Sequence, residues 1–82
     1  MTYYVALPFV RDVHGELMPG EAKECKTAGA AVRMARHLAF ASAGTVAFSR
    51  TGDPAIGEFD EAVVIQKFGE VPSLDDLIDA AV

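Results

Sequence analysis

An alanine-rich stretch, TAGAAVRMARHLAFAS at residues 27 to 42, constrains the fold more than any other part of the chain. Ala, Arg, Met and Leu are strong helix formers and Thr27 is a suitable N-cap, so the stretch predicts a helix that stops at Gly44. At 100° per residue, one side of this helix carries Ala28, Ala31, Val32, Ala35, Leu38, Ala39 and Ser42. Because these side chains are mostly small, we expect the helix to lie close to the layer that it covers.

Segments typical of β-strands flank this helix. Residues 2 to 10 alternate β-branched and aromatic side chains, although Pro8 must either lie at a sheet edge or break the pairing. The polar segment EAKECK, at 21 to 26, predicts a short second strand. Residues 45 to 50 and 61 to 68 predict two more, and the last of these is apolar on both sides in its middle. That pattern is typical of an interior strand or of one that is covered on both faces.

The chain closes with SLDDLIDAAV, a short acidic and amphipathic segment. Ser73 and Asp76 resemble a capping box, and apolar residues recur at helical spacing, so we expect a short C-terminal helix. This helix docks either on its own sheet or in a groove of a second subunit or partner. Together the elements predict a single α+β domain over residues 1 to 82. Its expected architecture is an antiparallel sheet of three to four strands with the main helix packed on one face.

Composition and charge exclude several classes of protein. Twelve acids against seven Lys and Arg give a net charge of −5, which argues against binding to nucleic acid or to anionic membranes. The single cysteine, Cys25, cannot form an internal disulfide and fits a reducing cytosol. The first residues lack a basic leader region, and no apolar stretch reaches the ~20 residues that a membrane-spanning helix needs. We therefore expect a cytoplasmic protein.

The expected core is thin. Apolar residues make up 51% of the 82 residues, but many of them are alanine and the chain has no tryptophan. Small domains with little core volume often gain stability by association. We therefore expect a homodimer.

The segment FSRTGDPAIGEFDE, at residues 48 to 61, contains the glycines and acids that occur in phosphate-binding and metal-binding loops. Their order and spacing exclude most of these functions. A Walker loop needs Lys and then Ser or Thr after its second glycine, whereas Gly57 is followed by Glu58 and Phe59. The acids of the segment also lack the alternate spacing of an EF-hand. What remains is either a long hairpin tip that acids keep solvated, or a partner-recognition loop. The residues of that recognition loop would be Arg50, Asp53, Glu58 and Asp60.

The outer side of the main helix offers a second candidate surface, formed by Arg33, Arg36, His37 and Phe40. These residues are either a solvated helix face or a protein contact with Phe40 and an arginine as anchors. A basic cluster with an aromatic residue could also bind RNA through phosphate contacts and base stacking. The acidic charge of the whole chain argues against the RNA alternative.

Catalytic patterns are absent from the sequence. His14 and His37 are far apart along the chain, and no spacing places a base beside Cys25. Ser42 and Ser49 lack the glycines of a nucleophile elbow. We therefore predict no catalytic, cofactor-binding or metal-binding residues, and a non-enzymatic interaction or regulatory module that self-associates. The alternative is a small-ligand or nucleotide-binding domain with its site between the helix and the 53 to 61 loop.

Three parts of the chain carry a resemblance: YYVALPFVRD near the start, the alanine-rich helix, and VAFSRTGDPAIGEFDEAVVIQKFGEVP. They resemble a group of short, uncharacterised bacterial proteins associated with alphaproteobacteria, over nearly the whole chain. The resemblance implies a stand-alone protein and no known activity. The YYV strand followed by an alanine-rich helix is also similar to the SPOR peptidoglycan-binding domain. The loop after residue 50 departs from the SPOR pattern.

Overall fold

The computed structural model describes residues 1–53 and 55–72, and the C-terminal helix expected over residues 73 to 82 lies outside them. The fold is α+β, as predicted. In chain order its elements are β1 (Thr2–Arg11), β2 (Leu17–Pro19), β3 (Lys23–Cys25), α1 (Ala28–Leu38), a 3₁₀ turn (Ala39–Ala41), β4 (Gly44–Asp53), β5 (Glu58–Phe59) and β6 (Val63–Gly69). No helix within the described ranges is long and apolar enough to cross a membrane.

The sheet is antiparallel throughout and has β1 and β4 at its centre. Their pairing runs from Thr2 opposite Thr51 to Phe9 opposite Gly44. Strands β2 and β3 share the other edge of β1, and β5 and β6 share the other edge of β4. The described residues thus form six strands, more than the three to four that were predicted, because each outer row is divided into two strands.

Pro8 explains why the row beside β1 is divided. On that side, β3 pairs with β1 as far as Ala6, and β2 pairs with it again from Phe9 onward. Proline has no N–H to donate, so the ladder stops there, and the Pro8 carbonyl accepts instead from the N–H of Gly20 at 2.8 Å. Of the two expected outcomes, broken pairing is therefore the correct one.

Helix α1 packs on the sheet through a centre of buried alanines, with Val32 and Leu38 of the helix at its margin. The Thr27 side chain accepts a hydrogen bond from the Ala30 N–H at 3.0 Å, which confirms the predicted N-cap. Ala31 and Ala35 of the helix pack on Ala6 and Ala47 of the sheet, and all four are fully buried. The approach is close enough for a hydrogen bond between the two layers.

A buried hydroxyl joins the sheet directly to the helix backbone. Thr45 has no exposed surface, and its Oγ1 donates to the carbonyl of Ala35 at 2.7 Å. A larger residue at position 35 or 47 would move the helix away and break this bond. The expectation that the alanine stripe brings the helix close to its neighbour is confirmed.

The end of the helix differs from the prediction. Helix α1 stops at Leu38, and the chain tightens into the 3₁₀ turn before it enters β4. Gly44 does not end the helix, because it is the first residue of β4, where it lies buried between Phe9 and Gly69. A Cβ at Gly44 would lie 2.5 Å from the carbonyl carbon of Glu70. The glycine is thus explained by close backbone packing rather than by helix termination.

The bulky part of the core lies on the face of the sheet opposite the helix. Its buried members are Leu7, Phe9, Val46, Phe48 and Ala62, and Val5, Leu17, Val64 and Val71 pack around them. Because successive strand residues point to opposite faces, β1 sends Leu7 and Phe9 to this side and Ala6 to the helix. The sheet therefore has two apolar faces, one lined by alanine and the other by larger side chains.

A β-bulge in β6 supplies side chains to both faces. The pairing with β4 shifts between Ala47 and Phe48, which leaves Ile65 as the extra residue. Val64 and Phe68 are four residues apart and would otherwise share a face. With the bulge, Val64 packs with the bulky cluster and Phe68 packs on the helix side. This explains why the segment reads as apolar on both sides.

The prediction of an interior strand at this position is wrong for the described part of the chain. Strand β6 pairs with β4 and, within residues 1–53 and 55–72, with no other strand. Val63 is 63% exposed and Ile65 is 37% exposed. The strand thus forms an edge of the sheet and leaves two β-branched side chains in solvent.

Candidate functional site

The first candidate surface, which we call the Phe40 surface, consists of Arg33, Arg36, His37 and Phe40. All four side chains are exposed, and Phe40 is 90% exposed. The sequence predicted Phe40 on the helix itself, but the residue lies beyond it in the 3₁₀ turn. The chain must reverse there to enter β4, so the turn carries Phe40 past the end of the helix.

The turn that carries Phe40 is anchored on both sides. Before it, the backbone N–H of Ala39 donates to the carbonyl of Ala35. After it, the N–H of Ala43 donates to the Phe9 carbonyl at 2.9 Å. Phe40 is therefore an exposed aromatic residue on a backbone that is fixed at both ends.

Arg36, a cation of the Phe40 surface, also has local roles. It lies in the last turn of α1, where a positive charge interacts favourably with the helix dipole. The guanidinium carbon of Arg36 lies 5.9 Å from the ring centre of Phe68, within cation–π range. Arg36 thereby connects the Phe40 surface to β6.

The second candidate is the hairpin that joins β4 to β5. The sequence predicted a loop containing Arg50, Asp53, Glu58 and Asp60, but β4 extends through Asp53 and β5 begins at Glu58. The Asp53 carboxylate accepts from the Ala55 N–H at 2.9 Å and shapes the turn. The N–H of Asp60 donates to the Thr51 carbonyl at 2.7 Å, which extends the pairing beyond β5. Most of the supposed loop is therefore paired backbone.

Arg50 is held by its neighbours in this hairpin. Its Nε donates to the Asp60 carbonyl at 3.1 Å, and its guanidinium carbon lies 5.4 Å from the ring centre of Phe59. Tyr3 lies opposite Arg50 on β1, and its ring centre is 6.2 Å from that of Phe59. The arginine thus belongs to an aromatic cluster that stabilises the hairpin.

Sequence reasoning did not identify the roles of Tyr3 and Phe59, nor the residue that lets them meet. Phe59 pairs directly with Gly52, and its ring lies across the glycine. A Cβ at Gly52 would lie 2.5 Å from the Glu58 carbonyl oxygen and would also meet the Phe59 ring. An aromatic residue that pairs with a glycine on the neighbouring strand is a known way to strengthen the edge of a sheet. The presence of both residue types on either side of the turn was the signal available in the sequence.

An open hollow of about 570 Å³ lies at the hairpin, lined by Gly52, Asp53, Gly57, Glu58, Phe59 and Asp60. Its charged lining residues are carboxylates, so it would repel a phosphate group. No residue of α1 lines it, whereas the nucleotide alternative placed a site between the helix and this loop. Among residues 1–53 and 55–72, no group of three or more His, Cys, Asp or Glu side chains could hold a metal ion.

The two candidate surfaces are at opposite ends of the central strands. Gly44, which follows the Phe40 turn, pairs with Phe9, whereas Thr51 at the hairpin pairs with Thr2. Seven residues of extended chain separate those pairs, a distance of roughly 23 Å at ~3.3 Å per residue. The fold therefore does not join the two surfaces into one site.

The remaining reactive side chains lie on separate elements. His14 is exposed in the turn between β1 and β2, where its backbone N–H donates to the Asp12 carboxylate at 2.8 Å. Cys25 is half-buried on β3, and its thiol lies 3.7 Å from the Lys23 carbonyl. His37 is exposed on α1.

We expect Phe59→Ala to lower the free energy of unfolding by about 1 kcal/mol, because it removes the side chain that Tyr3 and Arg50 contact. Urea denaturation followed by circular dichroism measures the change. The matched control is Ile56→Ala at the hairpin tip, where the side chain is 64% exposed and the expected change is within about 0.5 kcal/mol. Equal effects of the two substitutions would contradict the role assigned to the cluster.

Comparison of the chain with protein-family models, with curated proteins and with solved structures gave no match.

Proposed function

We propose that this chain is a small non-enzymatic interaction module that self-associates and binds a partner protein through the Phe40 surface. The observation that carries the proposal is the 90% exposure of Phe40 on a turn whose backbone is anchored before and after it. Binding through such a residue orders little that is not already ordered, so most of the gain from burying the ring contributes to affinity. Aromatic residues and arginine are also the commonest anchors of protein interfaces.

The charge of this surface favours an acidic partner. Residues 28 to 41 contain two arginines and one histidine and no acid, although the whole chain has a net charge of −5. An acidic segment with one large apolar side chain would complement both Phe40 and the arginines beside it. A second copy would instead present the same cations to this surface, so we place self-association elsewhere on the molecule.

The proposal can be tested by photo-cross-linking in cells that express the protein. With the photoreactive residue p-benzoylphenylalanine at position 40, we expect one major covalent adduct of defined mass. The control places the same residue at position 13, where Val13 is 96% exposed in the turn between β1 and β2. No such adduct should form from position 13. The adduct from position 40 should decrease when Arg33→Glu and Arg36→Glu are combined.

Two results would argue against the proposal. Equal adducts at positions 13 and 40 would show that exposure alone accounts for the cross-link. A strong and saturable stabiliser in a thermal-shift screen of nucleotides and metabolites would favour the ligand-binding alternative.

A further inference from the structure

The two outer edges of the sheet differ in how they are protected from pairing with another chain. On one side, β2 and β3 have three residues each. Pro19 lies in β2, and Lys23 and Glu24 lie in β3. Short strands, proline and charged side chains are the devices that prevent edge-to-edge association. This edge is therefore poorly suited to pairing.

The β6 edge has few of these devices. The strand has seven residues, VVIQKFG, with Lys67 as its single charge. Its bulge at Ile65 interrupts the edge at one position, and Val63 and Ile65 remain exposed. Among residues 1–53 and 55–72, β4 is the one strand that pairs with β6. The outward-facing N–H and C=O groups of such an edge strand can pair with a further strand.

We propose that β6 pairs antiparallel with β6 of a second copy, around a twofold axis near Val63 and Val64. This inference rests on the proposed self-association and names the strand and the register that produce it. The pairing would cover the exposed Val63 and Ile65 side chains of both copies. It would also join two sheets into one continuous sheet, with both α1 helices on the same face.

Charge decides where the axis lies. The acidic pair Asp60 and Glu61 precedes β6, Lys67 lies near its end, and all three side chains are exposed. An axis near Val63 and Val64 places Lys67 of each copy against the acidic pair of the other. An axis near Lys67 would oppose two lysines, and an axis at Ile65 would place Lys67 opposite Val63. Opposite charges across a pair of strands stabilise the pairing and like charges weaken it, so the first register is favoured.

The test compares three variants by light scattering and analytical ultracentrifugation, with circular dichroism to verify folding. The wild-type chain should have about twice the monomer mass of 8.7 kDa. Val63→Lys should raise the dimer dissociation constant roughly 100-fold, because it places a charge at the centre of the proposed interface between the two β6 strands. Lys67→Glu should raise it roughly tenfold by opposing like charges at two symmetric positions. Adding Asp60→Lys and Glu61→Lys to Lys67→Glu should restore it to within about threefold of wild type.

The control is Val13→Lys, which adds the same charge at a side chain that is 96% exposed and distant from β6. Its dimer should be unchanged. A wild-type monomer at high micromolar concentration would overturn both this inference and the proposed self-association. A dimer that survives Val63→Lys and Lys67→Glu would overturn the β6 interface and leave self-association intact. Loss of the dimer in Lys67→Glu without rescue by the charge swap would overturn the register.

Discussion

Phe9→Ala is expected to lower the free energy of unfolding by about 3–5 kcal/mol. Phe9 is among the largest fully buried side chains, with 1% exposure, and it belongs to the bulky cluster opposite the helix. Its removal loses apolar burial and leaves a cavity in the cluster on the face opposite the helix. Total stabilities of small domains are about 5–15 kcal/mol, so this loss removes a large fraction of the total.

The matched control for this variant is Val10→Ala, one residue along the same strand. Val10 is 41% exposed on the other side of β1, so its loss should cost about 1 kcal/mol or less. Urea denaturation at a single protein concentration measures both variants, because self-association would make the midpoint depend on concentration. Similar losses for Phe9→Ala and Val10→Ala would contradict the assignment of the main core to the face opposite the helix.

Gly44→Ala is the second large effect that we expect, with a loss of about 3 kcal/mol in the free energy of unfolding. The added methyl group would lie 2.5 Å from the Glu70 carbonyl carbon and 2.6 Å from its nitrogen. Both are backbone atoms, so no side-chain rotation relieves the overlap. The start of β4 would have to move away from the end of β6, where Gly44 pairs with Gly69.

Gly29→Ala provides the opposite result from the same chemical change. Gly29 is exposed in the first turn of α1, and its nearest neighbour for a new Cβ is the flexible Arg33 side chain at 3.4 Å. Alanine should therefore stabilise the helix by about 0.5–1 kcal/mol. The midpoints of both thermal and urea unfolding should therefore fall for Gly44→Ala and rise for Gly29→Ala. A neutral Gly44→Ala would contradict the close approach of the two strand ends.

Two interactions are proposed for separate parts of this molecule, and their charges explain the separation. The Phe40 surface is cationic, so a second copy is a poor occupant for it. The β6 edge has a lysine at one end and acids at the other, so a second copy complements it. Arg36 lies over Phe68 of β6, so the two surfaces adjoin at that residue.

The sequence by itself determined those elements whose pattern is local. The alternation in β1, the Thr27 N-cap and the small-residue stripe of α1 all depend on neighbours within a few residues. The turn after β1 is also held by local contacts, because the Asp12 carboxylate accepts from the N–H groups of His14 and Glu16. Hydrophobic periodicity also located β6, but not its place in the sheet.

Only the tertiary structure decided the features that depend on strand pairing. The bulge at Ile65 sends Val64 and Phe68 to opposite faces, and a sequence pattern cannot distinguish this from a strand that is buried on both sides. In the same way, the sequence predicts that Gly44 ends the helix, whereas the structure shows that Gly44 makes room for the end of β6. Register brings together residues that are far apart in the chain, such as Tyr3 and Phe59.

The stretch FSRTGDPAIGEFDE shows the same division. Its residues alone excluded a phosphate loop and an EF-hand, because a carboxylate stands where a cation is required and the acids are wrongly spaced. The pairing of Gly52 with Phe59 then converted most of the apparent loop into a hairpin and placed Arg50 against an aromatic ring. Local chemistry is contained in the sequence, whereas contacts between distant residues exist only after the strands have paired.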